Sequence, residues 1–372
     1  MLHPPTSYED HTAPGPPPEP GFYAEQALLG ALLLEPPLLD EISGIEPDSF
    51  SRPAHTALFT AIRSLPAPDP EQHTETVAWL DRVLTAAREH VRGLDAPYLH
   101  ALIQFSPMPR HASAYARTVE AGHARRLLRT AAQRLAHSAQ DLTHPHSVPA
   151  ALAEADNLAA VTDTIAARFP PHPGSVPRTP STPPAEKGDS AEAAEEERLL
   201  LATATAHPEE AKEMRWLTAA DFTHPLHAGL WQSLAFLLQR RLPVDPVTVL
   251  CEAQQRGLLT ADGDTDSAAL LRLLADPLGS PQHWGERILE RSLLATARGV
   301  GHRVGCYTAD PATTPYQLVV GSRRALADLS AIRARWQHAT SPAPPRPAHP
   351  KTTAPRAGPP RTRAATVTPP AR

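Results

Sequence analysis

The sequence predicts an all-α protein, and two features of the chain indicate this class. Apolar residues recur at helical spacing in many segments, whereas the alternating pattern typical of strands is nearly absent. Proline, glycine and capping residues divide these segments into pieces of helix length. We therefore expect helical bundles whose apolar faces pack against one another.

The first half of the chain contains a series of such segments. A helix over 24–34 ends at Glu35, because a residue that precedes proline is disfavoured in the helical conformation. Ser51 is placed to cap a helix with Pro53 in its first turn, and Asp95 precedes a later helix. The other predicted helices are 38–42, 76–91 closed by Gly93, 97–104, 109–137 and 148–168.

The second half repeats this design. Pro225 opens a helix with the apolar stripe Leu226, Leu230, Trp231 and Leu234, which corresponds to Ala54, Leu58, Phe59 and Ile62. We expect these stripes, together with Phe50 and Phe222, to be buried. The further predicted elements are a helix capped by Asp245 and stopped by Gly257, then 268–274, 281–303 and 315–336.

An internal duplication explains this similarity. Residues 25–62 align with 197–234 without a gap, at an offset of 172 residues. Nine positions are identical: Glu25/Glu197, Leu28/Leu200, Leu29/Leu201, Pro36/Pro208, Glu41/Glu213, Phe50/Phe222, Pro53/Pro225, His55/His227 and Leu58/Leu230. Residues 114–119 match 283–288, and 165–169 match 332–336. The repeat is therefore the size of a domain and too long for a solenoid unit.

Proline-rich segments separate the two copies. Seven prolines lie in 1–20, seven in 170–190 and ten in 339–372, and proline disfavours both helix and sheet. The predicted organisation is a disordered N-terminus 1–20, a helical domain 21–169, a linker 170–194, a second helical domain 195–338 and a disordered tail 339–372.

Charge and composition restrict the function. The formal charge is −5, but the tail carries six basic residues and no acid, so the body is acidic. An acidic body argues against broad nucleic-acid binding by the folded domains, whereas the tail can contact phosphate. Two cysteines without a pairing pattern indicate a reduced cytoplasmic protein, and neither a membrane span nor a secretion signal is evident.

Several segments resemble one known family. Residues 24–34 followed by 50–59, then 98–102 and 115–120, are similar to the N-terminal domain of the DnaB-type replicative DNA helicase. In the second copy the resemblance extends over 244–250 with Gly257, although residues 197–202 lose the glutamine and the glycine. The resemblance covers about three quarters of the chain. It implies a helical bundle followed by a helical hairpin. In that family the domain pairs with itself in a collar above the motor ring and helps to dock primase.

The chain lacks the motor that such a helicase requires. A helicase motor holds ATP phosphates in a glycine-rich loop that carries a lysine. The three lysines, Lys187, Lys212 and Lys351, follow no such pattern. We therefore expect no enzymatic activity and no cofactor.

Other candidate sites are less specific. His224 and His227 have the spacing of metal ligands but no further ligand pattern, so a packing or hydrogen-bonding role is favoured for His55 and His227, and no metal is expected. Acidic residues 195–197 suit the positive end of a helix. A basic helix face and the tail supply candidate contacts to a partner or to nucleic acid, with a solvated face as the alternative: Arg125, Arg126, Arg129, Arg134, Arg361 and Arg363.

Three functions are compatible with these features. The first is a non-enzymatic assembly factor of DNA replication that binds helicase, primase or itself. The second is a DNA-binding accessory factor, and the third is a helicase subunit without a motor. In the resembled family the domain dimerises through its helical hairpin. The resemblance therefore implies that the two long-helix regions, 109–168 and 281–336, pack as a pseudo-twofold pair, and that three chains imitate a six-domain collar. The alternative is two independent domains on a proline-rich string.

Overall fold

A computed structural model of the chain describes residues 20–42, 44–68, 78–106, 108–140, 146–171, 191–259 and 266–341. These residues form helices and no β-strand, which confirms the predicted all-α class. No helix in these ranges combines the length and the apolar character needed to cross a bilayer. The expectations for 1–19, for 172–190 and for the tail beyond residue 341, including Arg361 and Arg363, concern residues outside this description.

The first part of the chain, 20–111, forms a helical unit that we call the first head. Its helices are α1 (Pro20–Leu34), α2 (Pro53–Ser64), α3 (Ala78–Arg88) and α4 (Ala96–Phe105). Asp95 caps α4 by accepting a hydrogen bond from the Tyr98 amide, as expected. The helix expected over 38–42 is instead a 3-10 turn, Pro36–Glu41. The helix expected over 76–91 ends at Arg88, and its expected start at residues 76 and 77 lies outside the described residues.

Two long helices follow and form the first hairpin. They are α5 (Ala112–Ser138) and α6 (Ser147–Arg168). The helix expected to start at residue 109 begins three residues later, because Pro109–His111 forms a 3-10 turn. The hairpin follows the head directly, so the first helical turns of α5 still pack on α1.

The second copy repeats this order. The second head, 191–280, contains α7 (Ala191–Ala206), α8 (Pro208–Ala211), α9 (Pro225–Arg240), α10 (Pro246–Gln255) and α11 (Ser267–Leu274). The second hairpin consists of α12 (Pro281–Ala309) and α13 (Pro315–Thr340). As expected, Asp245 caps α10, and Gly257 adopts a left-handed φ of 73° just after it. Helix α12 runs past the expected end at Arg303 and through Gly305, since no proline occurs before Asp310-Pro311.

The two hairpins pack against each other. Helix α5 lies along α12, and α6 contacts α13. This arrangement confirms the expected pairing of the long helices and contradicts the alternative of two independent domains. The first head keeps its own apolar core, which includes Leu28, Phe59 and Leu102.

The second apolar core extends across both copies. It includes Leu128 and Leu158 of the first hairpin together with Leu200, Trp231 and Leu293 of the second copy. The expectation of one separate core per copy is therefore correct for the first head and wrong for the second copy. The predicted stripe residues are buried as expected, except Leu226, which is half-buried against the second core.

Candidate functional site

A buried polar cluster ties α1 to the start of α2 in the first head. The Glu25 carboxylate accepts hydrogen bonds from the Ser51 amide (2.8 Å), the Ser51 hydroxyl (3.0 Å) and Nδ1 of His55 (2.6 Å). Nε2 of His55 lies 2.8 Å from the Tyr98 hydroxyl. Burial raises the pKa of the Tyr98 hydroxyl above its ordinary value.

The second head contains the same cluster. The Glu197 carboxylate accepts hydrogen bonds from the Thr223 amide (2.6 Å), the Thr223 hydroxyl (2.7 Å) and Nδ1 of His227 (2.9 Å). Burial opposes ionisation of Glu197, but the hydrogen bonds from His227, Thr223 and the His224 amide outweigh it and lower the pKa of Glu197. The glutamate and histidine are 30 residues apart in both copies.

These clusters hold the first helix of each head against the start of its second long helix. The Ser51 hydroxyl donates to Glu25, which also accepts from the Ser51 amide and binds Nδ1 of His55. The expected hydrogen-bonding role of the repeated histidines is confirmed. The expected cap by Ser51 is wrong, because Arg52 is the N-cap residue of α2 and Ser51 binds Glu25.

The acidic residues at 195–197 also act differently from the expectation. Glu197 forms the buried cluster, and Glu196 forms ion pairs with Arg287 and Arg291 of α12. Only Glu195 is exposed, where it pairs with Arg198. Specific partners, and not the helix dipole, therefore explain Glu196 and Glu197.

Each hairpin is anchored to its own head by the arginine near its C-terminal end. Arg335 forms two hydrogen bonds with the buried carboxylate of Asp221, at 2.5 and 3.0 Å. The equivalent Arg168 donates to the Gly44 carbonyl at 3.0 Å and lies 3.8 Å from Glu120. Each head and its hairpin therefore form one continuous structure.

The hairpins cross where their helices come closest. A Cβ atom on Gly301 of α12 would lie 2.6 Å from the carbonyl oxygen of Ala132 and 2.8 Å from the amide nitrogen of Ala136 on α5. The offset of 169 residues makes Gly301 and Ala132 equivalent positions. A residue that meets its own equivalent lies on a twofold axis, so the two hairpins are related by pseudo-twofold symmetry.

Arg125 binds the end of the opposite hairpin's first helix. Its guanidinium donates to the carbonyls of Thr308 (3.1 Å), Asp310 (2.7 Å) and Thr313 (2.5 Å), where α12 ends. Arg129 also donates to the Thr308 carbonyl, at 2.9 Å. A cation at this position satisfies the last carbonyls of the helix and complements its dipole.

The remaining arginine candidates lie in different environments. Arg126 donates to the Ser49 carbonyl at 2.6 Å and lies 4.0 Å from Glu25, so it supports the first head. Arg134 is exposed on α5. The structure thus shows contacts of Arg125, Arg126 and Arg129 within the chain, and contacts of the six arginines with a partner or nucleic acid stay a prediction.

The described residues contain no cluster of three or more histidine, cysteine, aspartate or glutamate side chains arranged to hold a metal. The rings of His224 and His227 lie 4.6 Å apart, and Nδ1 of His227 donates to Glu197. This nitrogen is therefore occupied by a protein partner.

Two helical heads with one shared internal design, joined through paired hairpins, define a tandem all-α protein. A family model described as the DnaB-like helicase N terminal domain matches residues 18–121 and again residues 189–283. The matched ranges make up more than half of the chain, which therefore belongs to this family as two tandem copies. No curated protein and no solved structure gave a match.

The family match confirms the resemblance seen in the sequence. Both matched ranges cover a head and only the beginning of the following hairpin. The family connects the chain with the N-terminal part of a helicase of DNA replication. No phosphate-binding loop of a helicase motor occurs within the 372 residues.

Proposed function

We propose that this chain is a non-enzymatic assembly protein of DNA replication, which presents two helicase N-terminal domains to a replicative helicase, to primase or to further copies of itself. The observation that supports it is the family match at both heads, combined with hairpins that pair within one chain. The proposed domains are 21–169 and 195–338, with 170–194 as the linker, although the last residues of this linker already belong to α7, which begins at Ala191.

The hairpin bundle gives the heads a defined arrangement. Arg125, at the middle of α5, meets Thr308 at the end of α12, whereas Ala132, further along α5, meets the earlier Gly301. These two helices therefore run antiparallel. Each head precedes the first helix of its hairpin, and the heads therefore lie at opposite ends of the α5–α12 pair. One chain supplies two head surfaces, and three chains would supply the six of a collar.

The direct test mixes the purified full chain with the host's replicative helicase and, separately, with its primase. Analytical ultracentrifugation should show the chain sedimenting with at least one of them. Excess isolated N-terminal domain of the helicase should compete, because it presents a related head. If neither protein binds the chain at micromolar concentration, the proposed assembly role is wrong.

A DNA-binding accessory role is the second candidate, supported by the exposed Arg134 and the six basic tail residues. Contacts with phosphates make affinity fall steeply with salt, by a slope of about 0.7–0.9 per phosphate in log units. Deletion of 339–372, or the Arg361→Ala/Arg363→Ala variant, should then weaken binding and flatten this slope. Unchanged DNA affinity and salt dependence would show that the tail does not bind DNA. A helicase subunit without a motor, the third candidate, would instead increase the ATPase rate of a motor supplied in trans.

A further inference from the structure

The ion pairs between the hairpins are not symmetric with respect to the duplication. Asp163 of α6 accepts a hydrogen bond from Arg323 of α13 at 2.8 Å, and Asp156 pairs with Arg333 at 2.5 and 3.1 Å. The offset of 167 residues that aligns 165–169 with 332–336 makes Asp156 and Arg323 equivalent positions. One position of the duplicated hairpin thus carries opposite charges in the two copies.

Pairing of identical hairpins would replace these attractions by repulsions. Two first hairpins would place Asp163 of one opposite Asp156 of the other, since Asp156 occupies the position of Arg323. Two second hairpins would place Arg323 of one opposite Arg333 of the other. Like charges at such short distances repel, whereas the observed pairing sets each carboxylate against a guanidinium.

The end of α12 adds a second difference. Arg125 supplies donors to the carbonyls there, and the equivalent residue of the second copy is the fully buried Leu294. In a pair of second hairpins, a leucine would face these carbonyls and could donate no hydrogen bond. These partly buried carbonyls would then lose the hydrogen bonds that Arg125 supplies, which costs free energy. The charges therefore disfavour the pairing of two first hairpins and the pairing of two second hairpins. The missing arginine further disfavours the pairing of two second hairpins.

We propose that the two hairpins are mutually specific, so that a first hairpin selects a second hairpin over another copy of itself. Repulsion in the wrong pairs supplies the discrimination, although exposed ion pairs add little stability. The linker holds the two hairpins at about millimolar effective concentration, so closure occurs within one chain. The hairpin surface is then occupied, and other proteins must bind the heads.

The test uses charge reversal in the full chain. Arg323→Asp/Arg333→Asp sets carboxylates against Asp163 and Asp156, and adding Asp156→Arg/Asp163→Arg restores attraction with the charges exchanged. Arg324→Asp is the matched control, because Arg324 is an exposed neighbour of Arg323. Hydrogen exchange of α6 and α13 reports opening of the pair, and exchange of α1 and α2 in the first head serves as an internal reference.

At low salt we expect the double variant to exchange about tenfold faster than the control in α6 and α13, with the first head unchanged. The variant with all four charges reversed should restore slow hydrogen exchange. Salt at 1 M should reduce the difference in exchange rate between the double variant and the control. Equal exchange in the double variant and the control would overturn the proposed specificity. Fast hydrogen exchange of α6 and α13 in the variant with all four charges reversed would also overturn it.

Discussion

Replacement of Gly301 by alanine should disrupt the crossing of the hairpins. The added Cβ would lie 2.6 Å from the Ala132 carbonyl oxygen and 2.8 Å from the Ala136 amide nitrogen. Both are backbone atoms, so a helix must move, at a cost of about 1–3 kcal/mol for overpacking. Alanine regains up to about 1 kcal/mol of helix propensity. We expect a net loss of about 1–2 kcal/mol in the free energy of unfolding, measured by urea denaturation.

Two other glycines of the same helix provide matched controls. A Cβ at Gly299 or Gly305 meets no atom within 4 Å. Alanine at these positions should therefore stabilise the protein by about 0.5–1 kcal/mol, which is the opposite sign. If Gly301→Ala stabilises the chain as the controls do, α5 and α12 do not cross at this residue in solution.

Further substitutions test the heads, the helix end and the absence of a motor. Phe59→Ala should lower the free energy of unfolding by about 3–5 kcal/mol and destabilise the first head alone. Trp231→Ala should also destabilise the paired hairpins, because only Trp231 belongs to the shared core. A neutral effect in melting curves would refute the core assignment. The lowered pKa of Glu197 stabilises the fold above the unfolded pKa of about 4.3, and this contribution is lost as the pH falls through the lower folded pKa. Glu197→Gln should thus lower stability at pH 7 and flatten its decline in acid, and an unchanged pH profile would contradict this. Arg125→Ala should speed hydrogen exchange at the end of α12, whereas the exposed Arg134→Ala should not. The purified chain should not hydrolyse ATP, and hydrolysis lost on mutating one of its own residues would overturn this.

The sequence predicted the helices and the duplication because both leave local signals. Proline and capping residues determine where helices begin and end, and the nine identities align the copies without a gap. The pairing of Glu25 with His55 also had a signal that the sequence interpretation did not use. The same two residue types recur at the same separation in Glu197 and His227, which indicates a contact repeated in both copies.

Other features have no signal in a single sequence. Arg125 binds main-chain carbonyls, and a carbonyl acceptor is present at every residue, so no side-chain pattern identifies its partner. The residues of α5 do not themselves show which helix covers its apolar face, and only the resemblance to the helicase domain supplied the expected pairing of the hairpins. The merging of the first hairpin with the second core therefore emerged only from the structure.

The pairing of the hairpins within one chain is tested most directly by chemical crosslinking. Asp156→Cys and Arg333→Cys replace two side chains that bond directly, in a chain whose own Cys251 and Cys306 are changed to serine. A short bismaleimide should link the two new cysteines within single chains, with a yield that does not fall on dilution. The absence of a crosslink, or crosslinks only between chains that disappear on dilution, would contradict the intramolecular pair.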